Sequence, residues 1–131
     1  MIKSCLQFLK ANPAYAKEKI GTLDLLIVDE FQDFNAVERE LVYQLSNYAA
    51  ETIILGDDDQ SIYDWKDADP EGIIELFKDS RVEKIKHDNK CHRCPDVVVE
   101  HATFLIKRNI RRVDKIWEKT GKDGKLAFSN T

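Results

Sequence analysis

Leu25, Leu26, Ile27 and Val28 run together without a polar break and stop at two carboxylates, Asp29 and Glu30. A short apolar run with no alternation predicts a strand buried on both faces, as in a parallel sheet. The design recurs at Thr52 to Leu55, which is apolar and β-branched and is followed by Gly56, Asp57, Asp58, Asp59 and Gln60. Between the two runs, Asn35 is placed to cap a helix, with Glu38 as its reciprocal partner. Val37, Leu41, Leu45 and Tyr48 then keep helical spacing. A strand, helix, strand order with apolar strands predicts a parallel pair joined by a right-handed crossover. Both acid-ended strands then reach the same carboxyl edge, where open α/β sheets bind their ligands.

The remaining segments fit around that pair. Ile2, Leu6 and Leu9 share a helical face over residues 2 to 11, and Asn12-Pro13 interrupts it. Ala14 to Ile20 forms a second short helix that stops at Gly21. Asp57 to Asp69 is a long polar loop carrying Tyr63 and Trp65, and loops of this length are often functional. Pro70 opens a helix with Ile73, Leu76 and Phe77 on its apolar face. Val82 to Lys86 alternates and predicts a weaker strand. Pro95 opens a further helix, with Val98, Ala102 and Leu105 aligned. Leu126 to Phe128 reads as the start of another strand. The expectation is a three-layer α/β fold with about three parallel strands flanked by helices.

Length and composition narrow the function classes. The 131 residues suffice for one domain with a real core. A formal charge of -4 argues against a whole-surface polyanion binder and leaves room for a local basic face. Arg111, Arg112, Lys115, Lys119, Lys122 and Lys125 concentrate such charge near the end, where a solvated face is the plainer reading. The opening residues do not read as a signal peptide, and no apolar run approaches the ~20 residues of a membrane span. Three cysteines do not make a disulfide framework. The expected compartment is cytoplasmic and reducing, with no membrane partner.

Several residues can carry chemistry. Magnesium binds through one or two carboxylates together with substrate phosphates. Phosphoryl transfer to water also needs a group that orients the nucleophile. Asp29 and Glu30 can divide those tasks; they also fit a solvated strand end. Gln60 has an amide that both donates and accepts, so it can sense a terminal phosphate oxygen or a water. Tyr63 and Trp65 can stack on nucleic acid bases, at roughly 1–3 kcal/mol per base, or fold back onto the core. Three consecutive aspartates repel phosphate unless they face a metal or cap local backbone. Cys91-His92-Arg93-Cys94 is a C-x-x-C before a helix, which admits a thiol redox site. Zinc fits less well, because His87, His92, His101 and Cys5 supply no second pair at good spacing.

LLIVDEFQDFN, followed by IILGDDDQSIYDWKDADP, resembles motifs II and III of the UvrD/Rep-like superfamily 1 DNA helicases. HRCPDVVVEHATFLIKRN resembles motif IV of the same family. The resemblance covers nearly the whole chain. It implies a partial P-loop NTPase (RecA-like) domain. Residues 1–109 would be the C-terminal half of a helicase ATP-binding motor domain, and 110–131 a basic tail starting the next. By the resemblance, Asp29 matches the magnesium-binding acid and Glu30 the acid that activates the attacking water. Gln32 falls in the same signature, on the cofactor side. Gln60 would couple the γ-phosphate to DNA. Arg93 would neutralise γ-phosphate charge, and His92 would stand for the tyrosine that stacks on adenine. Tyr63, Trp65 and Lys66 would contact single-stranded DNA.

The departures from the family are also specific. Asp64 and Asp67 stand where the family usually has glycines, and Lys66 where it has arginine, whose planar fork is lost. No GxxxxGK[ST] loop occurs in these residues, so the backbone cradle for the phosphates and its lysine are missing. ATP and Mg²⁺ are therefore expected as cofactors only if a phosphate-loop segment completes the site, with no ATP hydrolysis by the chain alone. The alternative is a non-catalytic helicase remnant or split subunit acting through a partner. An unpaired strand edge at Thr52 to Leu55 would invite self-association or a complementing helicase segment.

Overall fold

The computed structural model describes residues 1–63, 67–85 and 89–127. The chain forms two compact units, Met1–Asp79 and Ser80–Thr131.

The first unit opens with α1 (Ile2–Ala11) and α2 (Pro13–Ile20). Asn12 leaves helical geometry at φ -131, and Pro13 takes a first helical position, where its missing N–H is no loss. Gly21 ends α2 at φ 73, in the left-handed region that glycine enters without penalty. The strands β1 (Leu23–Val28) and β2 (Ala49–Ile54) pair in parallel, with Leu26 opposite Thr52 and Val28 opposite Ile54. Between them lie a 3-10 turn at Phe31–Asp33 and α3 (Ala36–Ser46). A second 3-10 turn at Asp58–Gln60 and α4 (Glu71–Lys78) come after β2.

Helix α3 starts where the sequence places its cap. Asn35 Oδ1 accepts from the backbone N–H groups of Val37 (3.0 Å) and Glu38 (3.1 Å). Glu38 Oε2 accepts from the Asn35 N–H at 3.0 Å, completing the reciprocal box. Asn35→Ala is expected to cost about 1 kcal/mol, and Asn35→Ser much less. Urea midpoints of the two variants check this.

The core gathers on one side of the sheet. Val28, Phe31 and Val42 are buried together, and Leu26, Phe34, Ile54, Ile73 and Leu76 pack against them. The other side of β1 differs from the expectation of a strand buried on both faces. Leu25 is 42% exposed and Ile27 58%, while Val28, just before the acids, is buried. The run is uniformly apolar, yet its burial alternates, because among the described residues no element covers the second face. The described sheet also has two strands and not three. Val82 to Ile85 alternate in sequence but form no strand; Val82 and Ile85 are exposed, and an alternating pattern without a partner strand has nothing to pair with. Leu126 and Ala127 form none either. Lys86 and Phe128, the ends of those two runs, lie outside the described residues.

Lys10 on α1 reaches Glu40 on α3 at 2.7 Å. That hydrogen bond, with a second from Gln44, holds the Glu40 carboxyl below its ordinary pKa. Its small contribution is therefore present above the ordinary glutamate range and fades as pH falls through the lowered value.

In the second unit, α5 (Asp96–Ile106) begins after Pro95. The Asp96 carboxylate accepts from the backbone N–H groups of Thr120 (3.1 Å), Gly121 (3.1 Å) and Lys122 (3.3 Å). Lys119 pairs with Glu100 at 2.8 Å. The basic tail is thus folded back along the start of α5. No helix of the described chain is long and apolar enough to cross a membrane.

Candidate nucleotide-phosphate edge

The two strand ends are locked together before any side chain acts. The Leu55 N–H donates to the Val28 carbonyl (2.8 Å), and the Phe31 N–H donates to the Leu55 carbonyl (3.0 Å). This continues the ladder beyond both strands and holds the acids of β1 beside the loop after β2.

Asp29 and Glu30 are both exposed at that edge. Asp29 Oδ1 accepts from the Glu30 N–H at 2.9 Å. Glu30 sits at φ 54, ψ 40, the left-handed region. A residue with a Cβ loses roughly 1–2 kcal/mol there, and such strain clusters at functional positions. The kink turns the chain into the 3-10 turn, which buries Phe31 in the core and Gln32 beneath the edge.

Gln32 is 1% exposed, and both ends of its amide are engaged. Its Nε2 donates to Glu30 Oε2 at 2.6 Å. Its Oε1 accepts from the Asp57 N–H at 3.0 Å. A carboxylate on one side and an N–H on the other fix the orientation of the amide. Asp57 continues the connection: its Oδ2 accepts from Gln60 Nε2 at 2.7 Å, and its Oδ1 from the Asp59 N–H at 3.1 Å. One hydrogen-bonded chain therefore runs from Glu30 through Gln32 and Asp57 to Gln60. It joins the two sequence motifs through side chains and the Asp57 backbone N–H. The resemblance puts Gln32 on the cofactor side of the site; in the structure its side chain is buried and links the two loops.

Gly56 makes this contact possible. A Cβ there would lie 2.9 Å from Gln32 Oε1 and 3.4 Å from Ile73 Cδ1. Gly56→Ala is expected to push the Gln32 amide off its partners at a cost of about 1–3 kcal/mol. Faster hydrogen exchange at the Asp57 amide, with a lower urea midpoint, is the signature.

Asp57, Asp58 and Asp59 bring carboxylate oxygens within 4.8 Å of one another, and Asp58 is buried. Asp57 uses its carboxylate on its own turn, in keeping with local capping. The donor chemistry of Asp29 and Glu30, exposed hard oxygens at a strand end, fits a magnesium ion shared with phosphate. Tyr63 is half-buried. Trp65 and Lys66 lie outside the described residues. Asp67 adopts φ 58, so it occupies a glycine-type conformation, one that aspartate tolerates better than most side chains. His92 and Arg93 belong to the second unit and are exposed; the Arg93 carbonyl accepts from Lys122 Nζ at 2.9 Å. Cys91 and Cys94 are free. The Cys94 backbone N–H, helped by Arg93, lowers the Cys91 thiol pKa against the opposing effect of burial.

Two contributors had no sequence signal. Arg39 on α3 donates through Nη1 to the Asp69 carbonyl (2.9 Å) and to the Phe34 carbonyl (3.3 Å), tying down the far end of the loop. Gly72 leaves room for that side chain, because a Cβ there would collide with the Arg39 stem. An arginine in a helix reads as a solvated residue until its partner thirty positions on is known.

A parallel strand pair flanked by helices, with acids at one carboxyl edge wired to a glutamine on the neighbouring loop, makes the first unit a small α/β domain. Residues 1–81 match the family model of the UvrD/REP helicase N-terminal domain, and the chain belongs to that family. It is 34% identical over 101 residues to the ATP-dependent DNA helicase Rep of Escherichia coli (strain K12), covering 77% of this chain and 15% of that protein. It is 36% identical over 93 residues to DNA helicase II of Haemophilus influenzae, covering 70% of this chain and 13% of that protein. A putative ATP-dependent DNA helicase, YjcD of Bacillus subtilis (strain 168), is 27% identical over 123 residues, 94% of this chain and 16% of its own length. The chain thus spans only a small part of the length of these relatives.

Proposed function

We propose that this chain supplies the acidic half of a Mg-ATP site in a UvrD/Rep-type DNA helicase or translocase, and that it does not turn over ATP alone. The observation that carries this reading is the hydrogen-bonded chain from Glu30 to Gln60. It connects an acid suited to orienting water with an amide suited to sensing a terminal phosphate. In this reading Asp29 holds the magnesium ion, which would neutralise phosphate charge when bound. Glu30 orients the attacking water. Gln60 reports the γ-phosphate to the loop that carries Tyr63, Trp65 and Lys66, the contacts to single-stranded DNA. Arg93 neutralises charge on the transferring phosphoryl group, and His92 stacks on the adenine. Residues 1–109 act as part of the ATP-binding motor and 110–131 as the start of the next domain.

These residues contain no phosphate loop, so a further segment must complete the site. The uncovered β1 face at Leu25 and Ile27 supports a complementing segment or a second copy as its partner. The second reading, a non-catalytic remnant acting through a partner, rests on the same missing loop. Phosphate release with Mg²⁺, ATP and single-stranded DNA tests the proposal. The chain alone is expected to give no turnover above Glu30→Gln; turnover that Glu30→Gln abolishes would overturn the claim that it is incomplete. Light scattering at rising concentration tests the partner claim, and a stable monomer throughout would contradict self-association.

A further inference from the structure

We propose that Gln32 is a positioning residue that makes the Glu30 carboxylate and the Gln60 amide move as one unit. The inference rests on the reading of Glu30 and Gln60 as parts of a phosphate site, and gives that site an internal relay.

Burial makes the amide sensitive to its partners. Gln32 is 1% exposed, so water cannot replace a partner that leaves. Its donor end holds a carboxylate at 2.6 Å, a charge-assisted bond and the shortest link in the chain. Its acceptor end holds the Asp57 N–H at 3.0 Å. A primary amide is planar and rigid, so rotating one end displaces the other. Asp57 passes the displacement on, because the residue held through its N–H also grips Gln60 Nε2 at 2.7 Å. The Gln32 carbonyl, in turn, accepts from Ser61 Oγ at 3.2 Å, giving the second loop another grip on the same residue.

The surroundings leave little slack. Gly56 sits so close that a Cβ would press on Gln32 Oε1, and Ile73 closes the same side. Glu30 is held at φ 54, a conformation its own backbone does not favour. Its side-chain bond to Gln32 is therefore one of the interactions that keeps it there. When Glu30 turns toward a water, the buried amide loses its acceptor and must follow. The coupling is reciprocal: a ligand that pulls Gln60 acts on Glu30 through the same bonds.

Amide spectra of the ¹⁵N-labelled full chain, without nucleotide or DNA, test the relay. Glu30→Gln is expected to shift the Gln32 side-chain amide, the Asp57 N–H and the Gln60 side-chain amide, and in a Gln32→Met background to leave Asp57 and Gln60 unmoved. Equal shifts in both backgrounds, or none at Asp57 and Gln60 in the parent chain, overturn the proposal. If Gln32→Met does not fold, the exchanged pair Glu30→Gln with Gln32→Glu supplies the answer. It rebuilds the bond with donor and acceptor reversed, and the Asp57 and Gln60 signals are expected to return toward their original positions. Their failure to return also overturns it. Because no ligand is present, a failed relay is distinguishable from a failed assignment of ATP chemistry.

Discussion

Phe31→Ala is expected to destabilise the first unit by about 3–5 kcal/mol. Phe31 is the largest fully buried side chain of the core, between Val28 on β1 and Val42 on α3. Its ring lies 5.5 Å from that of Phe34 and 6.2 Å from that of Tyr43. Removing it leaves a cavity that, among the described residues, a two-stranded sheet with one uncovered face has few other contacts to offset. A small domain holds only about 5–15 kcal/mol in total, so the loss is a large share of the whole. The urea midpoint by far-ultraviolet circular dichroism should fall by roughly 2–3 M for a slope of about 1.5 kcal/mol/M. Phe31→Leu keeps much of the apolar volume and should fall far less.

Gln32→Leu is the second large effect, and its cause is polar. The substitution keeps the apolar stem and deletes both amide bonds. The Asp57 N–H then loses its acceptor, at about 1–3 kcal/mol, and the bond to the Glu30 carboxylate is lost at a further 1.5–3 kcal/mol. The expected total is about 3 kcal/mol, measured from the same urea transitions. Gln60→Ala deletes the exposed far end of the same chain and is expected to cost under about 0.5 kcal/mol. The contrast separates a buried link from an exposed one. Equal costs at Gln32 and Gln60 would mean that burial does not set the energetics of the chain.

Much of the first unit was legible because its signals are local. The acid-ended runs predicted both strands, although β1 begins earlier, at Leu23, and β2 at Ala49. Asn35 and Glu38 form the predicted capping box, and Pro13, Gly21, Pro70 and Pro95 stand at helix boundaries. The features that stayed hidden depend on distant partners. A uniformly apolar strand does not say which face is covered, so the exposure of Leu25 and Ile27 has no signal in the run itself. A glutamine in a polar signature carries no sign of its burial, and its bond to the Asp57 N–H joins residues 25 positions apart. Asp96 reads as an ordinary acid in a first helical turn, and its three backbone donors lie more than twenty residues away. Asp67 stood out in sequence only as a departure from glycine; its φ of 58 lies in the left-handed region that glycine enters most readily.

The family resemblance reached further than periodicity alone, because it rests on spacing between two motifs. It expects Glu30 and Gln60 in one site, and in the structure hydrogen bonds through Gln32 and Asp57 link the two side chains. It also set the limit, since no phosphate loop accompanies the acids.

ATP turnover tests the half-site most directly. Phosphate release is measured with Mg²⁺ and single-stranded DNA, for the chain alone and mixed with a separately purified segment carrying a GxxxxGK[ST] loop. A half-site predicts silence from the chain alone, turnover from the mixture, and silence again when the mixture contains Glu30→Gln. Turnover by the chain alone, or turnover in the mixture that Glu30→Gln leaves untouched, would contradict it.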